Sequence, residues 1–229
     1  MIVRWIAVFA VVLFAGQAFG EEAVVLKTQK DKVSYGIGMN IGKNLQRDAV
    51  DVDADLLSRG LKDALSGGKT LMTEEEYKAT MTALQKEMME KQADAARKLA
   101  EKNKKEGEAF LAENGKKEGV VTLPSGLQYK VIQSGKGKTP KSTDTVETNY
   151  RGTLIDGTEF DSSYKRGQTA TFPVNGVIAG WTEALQKMKE GDKWQLFVPS
   201  NLAYGERGAG REIGPNATLL FEVELIAVK

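Results

Sequence analysis

The stretch that decides the fold lies in the last third of the chain, where four short motifs follow one another. Residues 156–163 read DGTEFDSS, residues 177–181 read VIAGW, residues 202–205 read LAYG, and residues 213–221 read IGPNATLLF. These motifs place aromatic side chains, one carboxylate and one phenol at strand ends and in loops. A few polar groups among aromatic and aliphatic ones are typical of an apolar binding pocket. The motifs therefore predict a small pocket from which water is largely excluded.

The sequence around these motifs alternates as β-strands do. Apolar and polar side chains alternate in the runs 126–132, 144–150, 193–198 and 218–228, and residues 156–157 (Asp-Gly) are a hairpin signal. One helical pattern interrupts the strands. Its apolar residues recur at the spacing of an amphipathic helix: Trp181, Ala184, Leu185 and Met188. This region is predicted to be an α+β domain in which an antiparallel β-sheet wraps a short helix.

The segment before this domain has helical periodicity in two short stretches. The first places apolar residues at every fourth position from Val33 to Leu45, with three glycines among them. The second follows the acidic residues 51–55 and ends at Gly67-Gly68. Two short amphipathic helices cannot build a stable core alone. We therefore expect residues 21–72 to form an all-α domain that dimerises with a second copy of the chain.

A third, much longer helix is predicted between these two regions, in residues 73–115. Thr73 and the acidic residues after it resemble a capping box, no proline occurs before Pro124, and Asn114-Gly115 is a stop signal. A helix from Glu74 to Glu113 would be about 60 Å long. Its apolar stripe covers only the first half, which predicts packing against the helical domain there and a solvated second half. The stripe is too short for an extended coiled coil, and a disordered charged linker is the other alternative.

The first 20 residues have the pattern of a secretory signal peptide. Arg4 precedes an apolar run at residues 6–15, and residues 18–20 (Ala-Phe-Gly) supply small side chains before a cleavage site. A membrane anchor is the alternative, but the run is shorter than the roughly 20 residues that a spanning helix needs. Export predicts a periplasmic, outer-membrane-associated or secreted protein. No integral membrane segment is expected after cleavage.

The composition excludes several classes of function. The chain has 32 basic and 31 acidic residues, and removal of Arg4 with the leader makes the two numbers equal, so no nucleic-acid surface is indicated. It has no Cys, so no disulfide and no lipid on an N-terminal Cys can form. It has no His, which removes His-based triads, His metal sites and His acid–base catalysis. No metal and no cofactor are expected.

The ordered motifs from residue 123 onward resemble the FKBP-type peptidyl-prolyl cis-trans isomerases. The whole chain after the leader resembles the secreted bacterial macrophage infectivity potentiator (Mip) group of that family, which carries an N-terminal helical dimerisation domain and a long connecting helix. The resemblance implies four parts: a signal peptide (1–20), a dimerisation domain (21–72), a connecting helix (73–115) and an isomerase domain (116–229).

The resemblance also implies which residues form the site. Those that would act in catalysis are Asp161, Tyr204, Phe160 and Phe221. Those that would bind the substrate are Tyr150, Phe172, Val177, Ile178, Trp181 and Ile213. Trp181 would form the floor and Phe160 and Phe221 the walls. The Tyr204 hydroxyl and the Ile178 backbone N–H would donate to substrate carbonyls, and Tyr150 would hold Asp161 at the edge.

Structural alternatives exist for several of these residues. Trp181, Phe172 and Phe221 would also suit a plain hydrophobic core, and Asp161 would suit a turn. Two positions depart from the common single-domain pattern. Ala170 replaces an aromatic residue, which is expected to open one side of the pocket. The charged, glycine-rich loop 206–212 is expected to be mobile.

Two functions of different classes follow from these observations. The first is a peptidyl-prolyl isomerase that accelerates X–Pro rotation in exported or unfolded proteins, without covalent or metal catalysis. The alternative is a dimeric chaperone that holds unfolded clients between two arms, with methionine-rich helices as an adaptable apolar cleft rather than only a dimer core. Macrolide inhibitors would bind the isomerase pocket. A third class, adhesion to host matrix, has no support in the residues.

Overall fold

The computed structural model describes residues 25–229. The predicted signal peptide, residues 1–20, lies outside the described residues. The chain divides into two compact units, with the boundary between residues 74 and 75. None of the helices described in residues 25–229 combines the length and the apolar character needed to cross a membrane.

The first unit consists of helices α1 (Gln29–Arg47) and α2 (Ala54–Ser66). Thr28 caps α1: its hydroxyl accepts from the Asp31 N–H at 3.1 Å, and the Asp31 carboxylate accepts from the Thr28 N–H at 2.8 Å. The Asp53 carboxylate caps α2 by accepting from the Asp55 and Leu56 N–H groups at 2.9 Å each. These bonds satisfy backbone donors that a helix start leaves free. Local capping therefore fixes where both helices begin.

Neither helix of this unit buries a residue. Their apolar side chains are instead exposed in the single chain: Val33, Tyr35, Ile37 and Met39 on α1, and Leu56, Leu57, Leu61 and Leu65 on α2. Hydrophobic burial is the main driving force for folding, and helices of this length gain most of their stability from packing. The unit therefore lacks a core of its own, in agreement with the prediction that it requires a partner.

The second unit begins with helix α3 (Glu74–Asn114), which is 41 residues long and ends one residue later than predicted. Its last third packs against the outer face of the β-sheet. The Phe110 ring lies 6.0 Å from the Phe197 ring. The Asn114 side-chain amide donates to Gln128 Oε1 at 3.0 Å, and Gln128 Nε2 donates to the carbonyl of Leu111 at 2.8 Å.

The expectation that the second half of this helix is solvated is therefore wrong for its C-terminal part. Gly107 and Asn114 are buried, although their neighbours along the helix are lysines and glutamates. The contact uses a glycine, asparagines and one aromatic ring rather than an aliphatic stripe. A hydrophobic periodicity search does not detect such a face, because polar residues contribute to it through hydrogen bonds.

The rest of this unit is an antiparallel sheet with short helices. The strands are β1 (Val120–Thr122), β2 (Gln128–Gln133), β3 (Thr145–Leu154), β4 (Glu159–Ser162), β5 (Ala170–Pro173), β6 (Lys193–Val198) and β7 (Leu219–Val228). Their order in the sheet is β1-β2-β6-β7-β3-β4, and β5 pairs with β3. Helices α4 (Ser163–Arg166) and α5 (Ala179–Leu185) lie between strands in the sequence. The predicted α+β class with an antiparallel sheet is confirmed.

Helix α5 packs into the concave face of this sheet. The four residues of its predicted apolar pattern, Trp181, Ala184, Leu185 and Met188, are at most 4% exposed. They join inward-facing sheet residues such as Leu196, Val223 and Leu225 in one core. The turn after the helix is held by Asp192, whose carboxylate accepts from the Lys189 N–H at 2.7 Å. The position of Trp181 at the start of this helix places it at one end of the core.

Candidate active site

A pocket of about 640 Å³ opens at the end of the core where α5 begins. This volume lies within the range of small-molecule and peptide sites. The structure brings all ten predicted site residues together around it. They are Tyr150, Phe160, Asp161, Phe172, Val177, Ile178, Trp181, Tyr204, Ile213 and Phe221. Gly176 and the loop residues Ala209, Gly210, Arg211 and Glu212 also line it, and the sequence analysis did not assign these five to the site.

The floor and walls of the pocket are aromatic rings packed edge to face. Trp181 is 4% exposed. Its ring meets those of Tyr150 and Phe221 at 5.3 Å each, with interplanar angles of 89° and 83°, and that of Phe172 at 6.0 Å. Phe160 meets Phe221 at 5.6 Å and 85°. Such contacts are favourable beyond the area that they bury. The rings therefore form a rigid apolar box.

Two glycines allow this box to close. A Cβ atom on Gly180 would lie 2.5 Å from Val198 Cγ1, so the glycine lets the first turn of α5 approach β6. A Cβ atom on Gly152 would lie 2.6 Å from the Phe160 ring and 2.9 Å from Phe221 Cε1. Only glycine leaves room for both rings over β3. Gly152 is a site residue that the sequence analysis missed.

The polar edge of the pocket is a three-residue cluster. The Tyr150 hydroxyl donates to Asp161 Oδ2, and the Arg166 guanidinium donates to Asp161 Oδ1 and, at 2.8 Å, to the Tyr150 oxygen. The guanidinium also lies 5.4 Å from the centroid of the Tyr150 ring. The expected contact between Tyr150 and Asp161 is therefore present. Arg166 was missed, although its place on α4, five residues after Asp161, could have suggested it.

This cluster has one stable protonation pattern at neutral pH. Partial burial tends to raise the pKa of Asp161, but hydrogen bonds from Tyr150 and Arg166 and the Arg166 charge outweigh it, so this pKa lies below its usual value. Burial, and then the hydrogen bond to Asp161, raise the pKa of Tyr150. Asp161 is thus ionised and Tyr150 neutral. Neither group is poised to exchange a proton near neutral pH.

Two donors face the pocket without a partner in the chain. Tyr204 is 43% exposed on a turn between two short 3₁₀ segments, and its hydroxyl makes no hydrogen bond within residues 25–229. The Ile178 backbone N–H, at the N-cap of α5, likewise donates to no group of the described chain. Both groups are therefore available to a ligand carbonyl.

The loop 208–213 forms one wall of the pocket. Ala209 and Ile213 exchange backbone hydrogen bonds of 2.8 and 3.2 Å, and Gly208 and Gly210 have positive φ angles of 64° and 60°. Glycine adopts such angles without strain, which explains the glycine-rich sequence. Ala170, expected to open one side, is half-buried on β5 and does not line the pocket.

No metal-binding cluster is evident within residues 25–229: no three Asp or Glu side chains lie close enough together to hold an ion. The residues in and around the pocket offer apolar contact, a few hydrogen bonds and the ion pair between Asp161 and Arg166.

Comparison with known proteins identifies this arrangement. Residues 136–226 match the family model of the FKBP-type peptidyl-prolyl cis-trans isomerases. Residues 30–131 match the model of the domain amino-terminal to that isomerase. The outer membrane protein MIP of Legionella longbeachae is 50% identical over 91% of this chain and 89% of its own length. The chain belongs to the FKBP-type peptidyl-prolyl cis-trans isomerase family.

Other relatives extend this result to activity and architecture. Peptidyl-prolyl cis-trans isomerase Mip of Coxiella burnetii is 48% identical over 90% of each chain. The crystal structure of FkpA from Escherichia coli superposes with a TM-score of 0.70 at 38% identity, covering 90% of this chain and 99% of that one. The expected FKBP fold and isomerase activity are confirmed. The names of these relatives support the isomerase function over the chaperone alternative.

Proposed function

We propose that the aromatic pocket catalyses rotation about X–Pro peptide bonds by binding the twisted amide better than the planar one. Resonance gives the bond a rotation barrier of about 18–20 kcal/mol. Twisting removes the resonance and makes the carbonyl less dipolar, so an apolar, water-poor site favours the twisted form over the planar one. Preferential binding of the transition state lowers the barrier. The observation that carries this proposal is the box of five aromatic rings joined by four edge-to-face contacts, three of which Trp181 makes.

Each predicted residue has a role in this mechanism. Trp181 forms the floor beneath the proline ring, and Phe160 and Phe221 enclose it. Tyr204 donates its free hydroxyl to a substrate carbonyl, and the Ile178 N–H donates to another. Asp161 remains ionised beside Arg166 and gives the box a fixed polar edge. The shape of the pocket is completed by the remaining substrate-binding residues, which are Tyr150, Phe172, Val177 and Ile213.

A proline-peptide assay tests this proposal. Tyr204→Phe removes only the free hydroxyl, so kcat/KM is expected to fall about fivefold, as for the loss of one neutral hydrogen bond of about 1 kcal/mol. Tyr164→Phe is the matched control, because Tyr164 is also about half exposed but lies outside the pocket. A macrolide is expected to compete with the peptide. If Tyr204→Phe and Asp161→Ala both keep full activity, the residue roles are wrong.

We also infer that the first unit forms a homodimer. Its helices bury no residue, and their apolar side chains are exposed in the single chain. A Cβ atom on Gly36, Gly38 or Gly42 would meet no other atom of the chain, so another helix can approach α1 closely. The similarity to FkpA extends over this region and supports the same interpretation.

We also propose that the protein is exported to the cell envelope. The leader pattern in residues 1–20 and the outer-membrane name of the Legionella longbeachae relative support an envelope location. The substrates would then be proline-containing exported polypeptides. N-terminal sequencing of the protein from the envelope fraction tests this: Glu21 is expected as the first residue, and a retained Met1 would contradict cleavage.

A further inference from the structure

The loop that forms one wall of the catalytic pocket has open space on both of its faces. Arg211 and Glu212 line the pocket on one side. The same two residues line a groove of about 420 Å³ on the other side, between the loop and helix α3. Residues 211–212 are therefore not held by packing on either side, whereas Ile213 is buried in the core. The position of the loop then depends on what holds Ile213 and the residues that follow it.

Helix α3 holds the C-terminal end of the loop. Asn103 Nδ2 donates to the carbonyl of Pro215 at 2.8 Å. Leu99 lies against Gly214, where an added Cβ atom would be 3.1 Å from Leu99 Cδ2. At Gly107 the helix backbone approaches so closely that a Cβ atom would be 2.3 Å from Thr218 Oγ1. These three residues are spaced by four and share one helix face; we call them the helix clamp.

The clamped segment is continuous with two pocket residues. Gly214 directly follows Ile213, which lines the pocket. The Asn216 N–H donates to the carbonyl of Gly205 at 2.8 Å, next to Tyr204. A shift of residues 214–218 is therefore passed to Ile213 through the chain and to Tyr204 through this hydrogen bond. Both residues line the same pocket as Trp181.

We propose that Leu99, Asn103 and Gly107 are positioning residues for catalysis. The helix clamp sets the distance of Ile213 and Tyr204 from Trp181, although no clamp residue lines the catalytic pocket. Residues 99–107 of α3 thus belong functionally to the isomerase domain. This inference rests on the proposed function of the pocket.

The first experiment removes one hydrogen-bond donor without changing side-chain shape. Asn103→Asp replaces the amide that donates to Pro215 with a carboxylate that the carbonyl repels. Gln92→Glu is the matched control, because it makes the same chemical change at an exposed position of α3. In the full chain, kcat/KM for a proline tetrapeptide is expected to fall on the order of tenfold for Asn103→Asp, since small displacements of positioning groups are costly. The control is expected to match wild type.

The second experiment uses sterics and includes a rescue. Gly107→Ala forces the helix away from Thr218 and is expected to lower kcat/KM. Adding Thr218→Ala removes the hydroxyl that the new Cβ atom meets, so the double variant is expected to recover most of the activity. Lys105→Ala, on the exposed side of the helix, is the control.

Amide hydrogen exchange separates positioning from overall stability. The amides of residues 209–216 are expected to exchange faster in Asn103→Asp, while those of β6 and β7 remain as in wild type. Unchanged kcat/KM in both clamp variants, or equal loss in variants and controls, overturns the inference. An inactive wild-type chain would instead contradict the proposed function. If a clamp variant is partly unfolded, the amides of β6 and β7 are expected to exchange faster as well. In that case kcat/KM is calculated per folded molecule, and a wild-type value would also overturn the inference.

Discussion

Arg166 does not line the pocket, but it lowers the pKa of Asp161 at the polar edge. Burial tends to raise the pKa of Asp161, and the hydrogen bond from Tyr150 lowers it. The guanidinium of Arg166 donates to Asp161 and to Tyr150, and its bond to Asp161 and its charge lower the pKa further. The ionised state of Asp161 therefore depends on Tyr150 and on the ion pair with Arg166 from α4. Such cation–carboxylate bonds are stronger than neutral ones.

The wild-type enzyme is accordingly expected to show no acid limb near neutral pH. The pKa of Asp161 is lowered in the folded state, so the contribution of this ion pair is complete above the ordinary value of 3.8 and is lost only as pH falls through the lowered value. Arg166→Met removes the guanidinium that lowers the pKa of Asp161, so this pKa is expected to be higher than in wild type. We expect its kcat/KM to decline at a higher pH than in wild type, measured from about pH 4 to pH 8. Coinciding pH profiles would contradict this role of Arg166.

Gly152 offers a second test at the residue scale. Gly152→Ala is expected to push the Phe160 ring, because the new Cβ atom would lie 2.6 Å from it. Overpacking of this kind costs about 1–3 kcal/mol of stability. Adding Phe160→Leu is expected to restore part of the free energy of unfolding in urea, because the contact with Phe221 at 2.9 Å remains, but not kcat/KM, since the aromatic wall of the pocket is then lost. Recovery of both quantities would show that Phe160 is not needed as an aromatic wall.

At the scale of elements, the contacts of α3 cross the boundary predicted at residue 115. Phe110 packs on Phe197, and Asn114 is paired with the buried amide of Gln128. A fragment of residues 94–229 retains these contacts, and a fragment of residues 116–229 loses them. In the shorter fragment water reaches the Gln128 amide, so the main loss is the apolar burial of Phe197, which is 4% exposed in the full chain. We expect a clearly lower melting temperature for the shorter fragment by circular dichroism; equal values would contradict the packing of α3.

The elements that could be predicted were those encoded by local patterns. Helix α5 was predicted from the spacing of Trp181, Ala184, Leu185 and Met188. The length of α3 was predicted because no proline occurs before Pro124. The ten pocket residues were predicted from the family resemblance that the ordered motifs carry. What was missed depends on contacts that the sequence does not show: Asn103 with Pro215 and Gly107 with Thr218, which are far apart in the chain, and Gly152 beneath Phe160, which are close in it. A glycine or an asparagine in a charged helix carries no local sign of its partner, because the partner is brought there by the folded sheet.

At the scale of the whole molecule, the proposed homodimer depends on the exposed apolar residues of α1 and α2. Ile37→Glu places a charge on a surface that burial in a dimer would desolvate, which costs several kcal/mol unless the charge is paired. We expect light scattering to give the monomer mass for Ile37→Glu and the dimer mass for wild type. Gln46→Glu, exposed on the same helix, is the control. A monomeric wild type would contradict the homodimer. Activity on a tetrapeptide is expected to be equal in all three.

The position of β7 in the sheet has a consequence for biogenesis. This strand is the last of the seven in sequence, yet it lies between β6 and β3, where it pairs with both. The helices and six earlier strands emerge first as the chain is made or threaded through a membrane, but the sheet remains split until residue 228 has appeared. Chains emerge at about 5–20 residues per second, so the interval between β6 and β7 is a few seconds at most. Until then the two halves of the future sheet have open edges on both sides of the place that β7 will fill.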